Sequence, residues 1–100
     1  MEYLKKLLSK IKDKPACYLG EKSVKKLAIL LGGYIMAVED ITHENFHFNR
    51  DFQEYIEKKF GLLMTTKHWS KILEEAYSDE VALDVFFECF EDFMNVTDHK

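Results

Sequence analysis

Three side chains that could bind a metal ion lie close together in the sequence: His43, Glu44 and His47. The two histidines are four residues apart, a spacing that lets two imidazoles chelate a metal from one face of a helix. Residues 41–49 are mostly polar, however, and predict a loop. No further ligand follows at metal-site spacing, and His68 is distant in sequence. We therefore expect no metal site.

Two cysteines, Cys17 and Cys89, are the candidate nucleophiles. A catalytic thiol needs an adjacent base, but Cys17 has no histidine nearby in sequence and Cys89 stands among phenylalanines. A spatial partner such as His47 or His68 stays open, so a small hydrolase is a distant alternative. Two cysteines are few for a disulfide-stabilised secreted domain, and we expect both to be reduced and buried in a cytoplasmic protein.

Carboxylates are abundant in the last quarter of the chain. A general acid/base pair needs a cleft and a perturbed pKa, and the helical pattern places these acids on a solvated face instead. A phosphate-binding glycine loop is missing, because Gly32-Gly33 falls inside a helical pattern. We expect no catalytic residue, no cofactor and no enzymatic activity.

Length and composition predict a single domain, residues 1–100. The apolar fraction is 47% and the aromatic fraction 14%, enough for a core without disulfides or metal. The apolar stretch 27–38 is too short for a membrane span. The N-terminus lacks the pattern of a signal peptide, which again predicts a cytoplasmic protein.

Apolar residues at helical spacing predict an all-α domain of four to five helices. The predicted helices cover 2–12, 23–40, 50–60, 67–77 and 79–95. Residues 15–22 are expected to form a tight turn, with Gly20 at positive φ and with Tyr18 and Leu19 packed between helices. Residues 62–66 are expected to form a connector. Gly61 is expected to cap the third helix. The second helix is apolar nearly all round, with Leu30 and Met36 widening its buried face, and should be central.

Gly32-Gly33 lies in the middle of that second helix, where glycine lowers helix propensity. The usual reasons for such a pair are close approach of another helix or a kink. The approach could come from within one chain or from a second one, so the free protein is expected to be a monomer or a weak dimer.

Charge is distributed unevenly along the chain. Residues 1–28 carry eight lysines and three acids, a balance of +5, whereas residues 78–100 carry seven acids and one lysine, a balance of −6. The acidic end disfavours binding to nucleic acid. The lysines of the first helix do not by themselves predict binding to DNA, RNA or a membrane, because few aromatic residues accompany them and the rest of the chain is acidic. A basic protein partner suits the acidic end. The alternative is that the two ends attract each other or are simply solvated.

One stripe of the last helix is the first choice for a partner-binding face. It contains Glu80, Asp84, Glu88 and Glu91, with Asp92 beside it. Such acids can occupy the place of RNA or DNA phosphates on a nuclease and accelerate association. The second choice is the set Glu39, Asp40 and Glu44. A solvated helix face is the alternative for each of these residues.

The segment Lys12-Asp13-Lys14-Pro15-Ala16-Cys17-Tyr18-Leu19-Gly20 resembles the Lys-x-Arg-Pro-Gly-Met-Tyr-Leu-Gly opening of small bacterial proteins found beside polymorphic toxin genes. Lys14 replaces Arg, and Ala16-Cys17 replaces Gly-Met. The likeness continues over most of the chain, at core and turn positions. These positions are Ser23, Gly33-Tyr34-Ile35-Met36-Ala37, Phe52 with Tyr55, Trp69 with Ile72, and Ser78, Ala82, Phe86 and Phe87.

That group resembles the immunity proteins of contact-dependent growth inhibition. The resemblance implies a non-catalytic cytoplasmic protein that binds one cognate toxin C-terminal domain and blocks it stoichiometrically. We expect the toxin to be a basic nuclease and, more specifically, an RNase. The runner-up is a non-catalytic helical adaptor or regulator that binds another protein. The matched positions concern the fold and leave the binding surface open.

Overall fold

Six helices make up the computed structural model over the residues it describes, 2–62 and 65–98. They are α1 (Glu2–Asp13), α2 (Pro15–Leu19), α3 (Val24–Thr42), α4 (Phe48–Lys59), α5 (Trp69–Ala76) and α6 (Asp79–Asp98). Those ranges contain no strand, so the all-α prediction is confirmed in one compact body. Residues 63 and 64 of the predicted connector lie outside the described ranges. None of the described helices has the length and apolarity needed to cross a membrane.

Helix α2 was not predicted. It occupies part of the segment that was expected to form a tight turn. Pro15 starts it, a position where the missing N–H costs nothing, and Gly20 ends it at φ 83° with its N–H donating to the Ala16 carbonyl at 2.9 Å. The positive φ of Gly20 is confirmed. Helix α2 turns only one side inward. Leu19 lies on that side and is buried as predicted, whereas the predicted burial of Cys17 and packing of Tyr18 are wrong.

The segment between α3 and α4 is shorter than predicted. Helix α3 continues to Thr42 and ends at His43, whose left-handed backbone (φ 61°) directs its N–H to the Glu39 carbonyl at 2.8 Å. Helix α4 already begins at Phe48, a fully buried residue. At its end, Gly61 adopts φ 70° and Leu62 donates to the Glu57 carbonyl, the expected glycine cap.

Side-chain caps join the beginnings of α3 and α6. Ser23 Oγ accepts the Lys26 N–H at 3.1 Å, and Asp79 Oδ1 accepts the Val24 N–H at 3.0 Å. Two of the four amides that a helix start leaves without a partner are thereby satisfied. Since Asp79 is the first residue of α6, this contact anchors α6 to the start of α3.

Aromatic rings fill the core between α4, α5 and α6. Trp69 is fully buried, and its ring centre lies 5.2 Å from that of Phe52 and 5.1 Å from that of Phe86. The indole N–H donates to Asn49 Oδ1 at 3.4 Å. The buried tryptophan thus has a partner for its polar atom, as a dry core requires.

Among the residues that the structure describes, helix α3 is covered on one side only. It packs against α2, α5 and α6 and buries Leu27, Leu31 and Ile35. Ile29 and Met36, on the opposite side, keep 70% and 68% of their surface exposed. The prediction that Met36 widens the buried face is therefore wrong.

The two glycines of α3 have no close neighbour within the described parts of the chain. A Cβ atom built on Gly32 or Gly33 would meet nothing within 4 Å. One expected reason for the glycine pair was the close approach of another helix of the same chain. That expectation is therefore wrong.

We expect the variants Gly32→Ala and Gly33→Ala each to raise the free energy of unfolding by about 0.5–1 kcal/mol. Alanine leaves the unfolded chain fewer backbone conformations than glycine does, and it has the higher helix propensity. Urea unfolding at low protein concentration, with unchanged m-value, measures this. Gly61→Ala is the matched control and should destabilise, since φ is 70° there. Destabilisation by the α3 substitutions would reveal a close contact.

Helix α5 begins at a histidine cap. His68 Nδ1 accepts the Ser70 N–H at 3.2 Å, and the imidazole lies against the Trp69 ring with 4.9 Å between centres. Although the residue as a whole is exposed, burial of part of the ring lowers its pKa below the ordinary 6.5. Protonation would also remove the acceptor that caps the helix.

Because the folded state disfavours protonated His68, its contribution to stability is complete above pH 6.5 and is lost as the pH falls through the lower folded pKa. We expect His68→Asn, which keeps a capping acceptor, to reduce the loss of stability between pH 7 and acidic pH. Urea unfolding across that range compares the slopes. An unchanged slope in the variant would contradict the assignment.

Candidate partner-binding surface

The residues of α6 divide into a broad buried side and a narrow exposed stripe. Buried against the core are Ala82, Leu83, Phe86, Phe87, Cys89, Phe90, Phe93 and Met94. The first-choice acids follow one another at intervals of four, four and three residues, which places them on one helix face. They are Glu80, Asp84, Glu88 and Glu91, and all are exposed. Asp92 is exposed at the edge of this stripe. The structure thus brings the first-choice acids together.

The acidic stripe forms one wall of an open groove. A depression of about 480 Å³ lies between Asp84, Glu88 and Glu91 on one wall and Lys12 and Lys22 on the other. A second depression, of about 330 Å³, continues along α6 and shares Lys12, Phe87 and Glu91 with the first. The apolar lining residues are Pro15, Leu83 and Phe87 in the first part and Leu8, Phe87, Phe90 and Met94 in the second. We call this feature the α6 groove.

One ion pair spans the groove. Lys22 Nζ lies 3.1 Å from Asp84 Oδ1 and 3.2 Å from Oδ2. The predicted alternative, attraction between the basic and acidic ends of the chain, holds at this pair. Both side chains are well exposed, at 39% and 62%, so the pair contributes at most about 1 kcal/mol. Asp84 is therefore already engaged within the protein.

Glu88 and Glu91 differ from Asp84 in this respect. Neither forms an ion pair with any residue in the described ranges. They are three residues apart, so their Cβ atoms are separated by about 5–6 Å on the helix surface. Two free carboxylates thus stand side by side above an apolar groove.

The second-choice acids lie on another surface. Glu39 is half-buried, and its Oε2 accepts the Phe46 N–H at 3.1 Å, so it organises the α3–α4 loop. Asp40 and Glu44 are exposed near the end of α3. At 1.5 Å per residue, Asp40 lies about 24 Å along the helix from its start beside Lys22. The structure does not join this set to Asp84.

The cysteines and histidines considered for chemistry stand apart from the groove lining. Cys89 is buried, and that burial raises the pKa of its thiol, which disfavours the thiolate. Cys17 is exposed on α2. Within ranges 2–62 and 65–98, no three His, Cys, Asp or Glu side chains are placed to hold a metal ion. His43 and His47 both adopt positive φ at the ends of their loop.

Sequence reasoning missed the lysine wall. Lys12 and Lys22 face the acids of α6 across the groove, and Lys5 lines its second part. The charge imbalance between the two ends of the chain was the available signal. It did not reveal which lysines would face which acids, because α2 and the turn at Gly20 set that register.

Comparison with models of protein families, with curated proteins and with solved structures finds no match to this chain. The resemblance to immunity proteins therefore stays a prediction based on the sequence motifs. The functional argument depends on that resemblance and on the α6 groove.

Proposed function

We propose that this protein is an immunity protein that binds one cognate toxin domain and neutralises it without catalysis. The toxin is a basic nuclease, with RNase as the expected activity, and the site of action is the cytoplasm. The single observation that carries the proposal is the α6 groove, where the unpaired carboxylates Glu88 and Glu91 border an apolar floor.

A nuclease active site has to hold the phosphates of its substrate with cationic side chains. Carboxylates spaced one helical turn apart offer those cations an alternative set of negative charges. An α6 helix seated on such a site would exclude RNA by occupying its place. The long-range attraction between an acidic helix and a basic site also raises the association rate.

Charge alone gives little net affinity, because each carboxylate loses its hydration when it is buried in the complex. The apolar floor of the groove supplies the complementary contribution. Phe87 and Phe90 lie directly beside Glu91 in its lining. An apolar or aromatic toxin side chain could insert there, and such anchors dominate the energy of most interfaces.

The lysine wall makes the groove selective. A basic partner is attracted to Glu88 and Glu91 but is repelled by Lys12 on the opposite wall. Only a partner whose charges alternate in the matching register avoids the repulsion. The ion pair between Lys22 and Asp84 holds one end of this pattern before the partner arrives.

The function is tested by co-expressing the protein with the toxin domain encoded beside its gene. We expect a one-to-one complex on co-purification, inhibited nuclease activity and rescued cell growth. A complex without inhibition would favour the adaptor alternative. If neither a complex nor rescued growth is observed, the proposal is contradicted.

The surface is tested with the double variant Glu88→Lys/Glu91→Lys, leaving Asp84 in its ion pair. We expect the toxin to bind at least about 100-fold more weakly, because two favourable contacts become repulsive. Calorimetric titration measures the affinity, and thermal unfolding verifies that the variant is folded.

Two matched variants accompany it. Glu54→Lys, at an exposed position of α4, changes charge away from the groove and should alter the affinity less than about threefold, as expected for a distant surface charge. Glu44→Lys probes the second-choice set. A loss of affinity confined to Glu44→Lys would contradict the choice of the α6 groove as the binding surface but would not contradict the proposed immunity function.

A further inference from the structure

The outer side of α3 is an exposed apolar surface with no role in the α6 groove. Ile29 and Met36 are seven residues apart, on the side opposite Leu27 and Leu31. Their exposed fractions, 70% and 68%, are large for apolar side chains of this size. Gly33 lies between them and is exposed. We call Lys25, Ile29, Gly32, Gly33, Met36 and Asp40 the α3 outer face.

This face is palindromic about the bond between Gly32 and Gly33. Ile29 and Met36 are each three residues from the nearer glycine, and Lys25 and Asp40 are each seven. Reading outward from the centre, the order is small, apolar and charged in both directions, with opposite charges at the two ends. Neither Lys25 nor Asp40 forms an ion pair with a residue in the described ranges.

A second copy of the same helix, running antiparallel, matches that pattern at every position. With the two-fold axis at the Gly32–Gly33 bond, Ile29 of one copy faces Met36 of the other, and Lys25 faces Asp40. The same pairs repeat on the other side of the axis, as an isologous interface requires. Glycine at the axis lets the two backbones approach closely. Among the described residues, no atom outside the helix itself lies within 4 Å of a Cβ built on either glycine.

We propose that the protein forms a two-fold symmetric homodimer through the α3 outer face. The contact is one helix side per copy, well below the ~800 Å² per partner of a standard interface. The dimer is accordingly weak, with a dissociation constant on the order of 10–1000 µM. The α6 groove is not part of the interface, so this inference does not rest on the proposed function.

Sedimentation equilibrium of the full chain, from micromolar to millimolar concentration, tests the dimer. Lys25→Glu and Asp40→Lys should each weaken it about tenfold, because each reversal makes two pairs of the symmetric interface repulsive. The double variant Lys25→Glu/Asp40→Lys restores both pairs with exchanged signs. It should return the dissociation constant to within about threefold of the original, as expected for restored exposed pairs.

Gly33→Leu provides a second, steric test. A Cβ atom built at this position meets no described atom within 4 Å outside its own helix backbone and chain neighbours, so the monomer should stay folded, as circular dichroism would show, while dimerisation falls more than tenfold. Glu54→Lys on α4 is the charge control and should leave the dimer unchanged.

A protein that stays monomeric at millimolar concentration would overturn the proposal. So would a dimer that Gly33→Leu and the single charge reversals leave intact, because the copies would then meet elsewhere. If Ile29→Glu weakens toxin binding in a strictly monomeric protein, the outer face belongs to the toxin interface instead.

Discussion

The packing of α6 against the aromatic core determines which residues the molecule presents to a partner. Phe86 and Phe93 each lie with ring centres 5.4 Å from that of Phe52, and Phe90 contacts Phe48. Rotating α6 would expose these rings at a cost of about 1.5–3 kcal/mol each. The rotation of the helix about its axis is therefore fixed, and the stripe with Glu88 and Glu91 has to face outward.

The position of the groove follows from the same constraint and from one turn. Asp79 anchors the start of α6 to the start of α3 through the Val24 amide, and the turn at Gly20 brings Lys22 next to Asp84. The acidic stripe is thereby bounded by lysines on one side. The groove consequently presents a pattern of both charges above an apolar floor, a more selective surface than an acidic helix alone.

Most helices were predictable because their apolar residues repeat with helical spacing, and the glycine positions at 20 and 61 follow from the need for positive φ. Periodicity could not reveal that only one side of α3 is covered, since Ile29 and Met36 are as apolar as the buried Leu27 and Leu31. It likewise placed Glu88 and Glu91 on one face but did not show the opposing lysines. Such contacts depend on how helices dock, a tertiary property that no local pattern carries.

The central claim is that a toxin domain docks along α6. The most direct measurement is an amide-resolved NMR titration of the labelled protein with the toxin domain that the proposal assigns to a neighbouring gene. The account predicts shifts concentrated at residues 84–94 and along the facing side of α1, with little change at residues 25–40. Shifts centred on α3 or α4, with α6 unaffected, would contradict it.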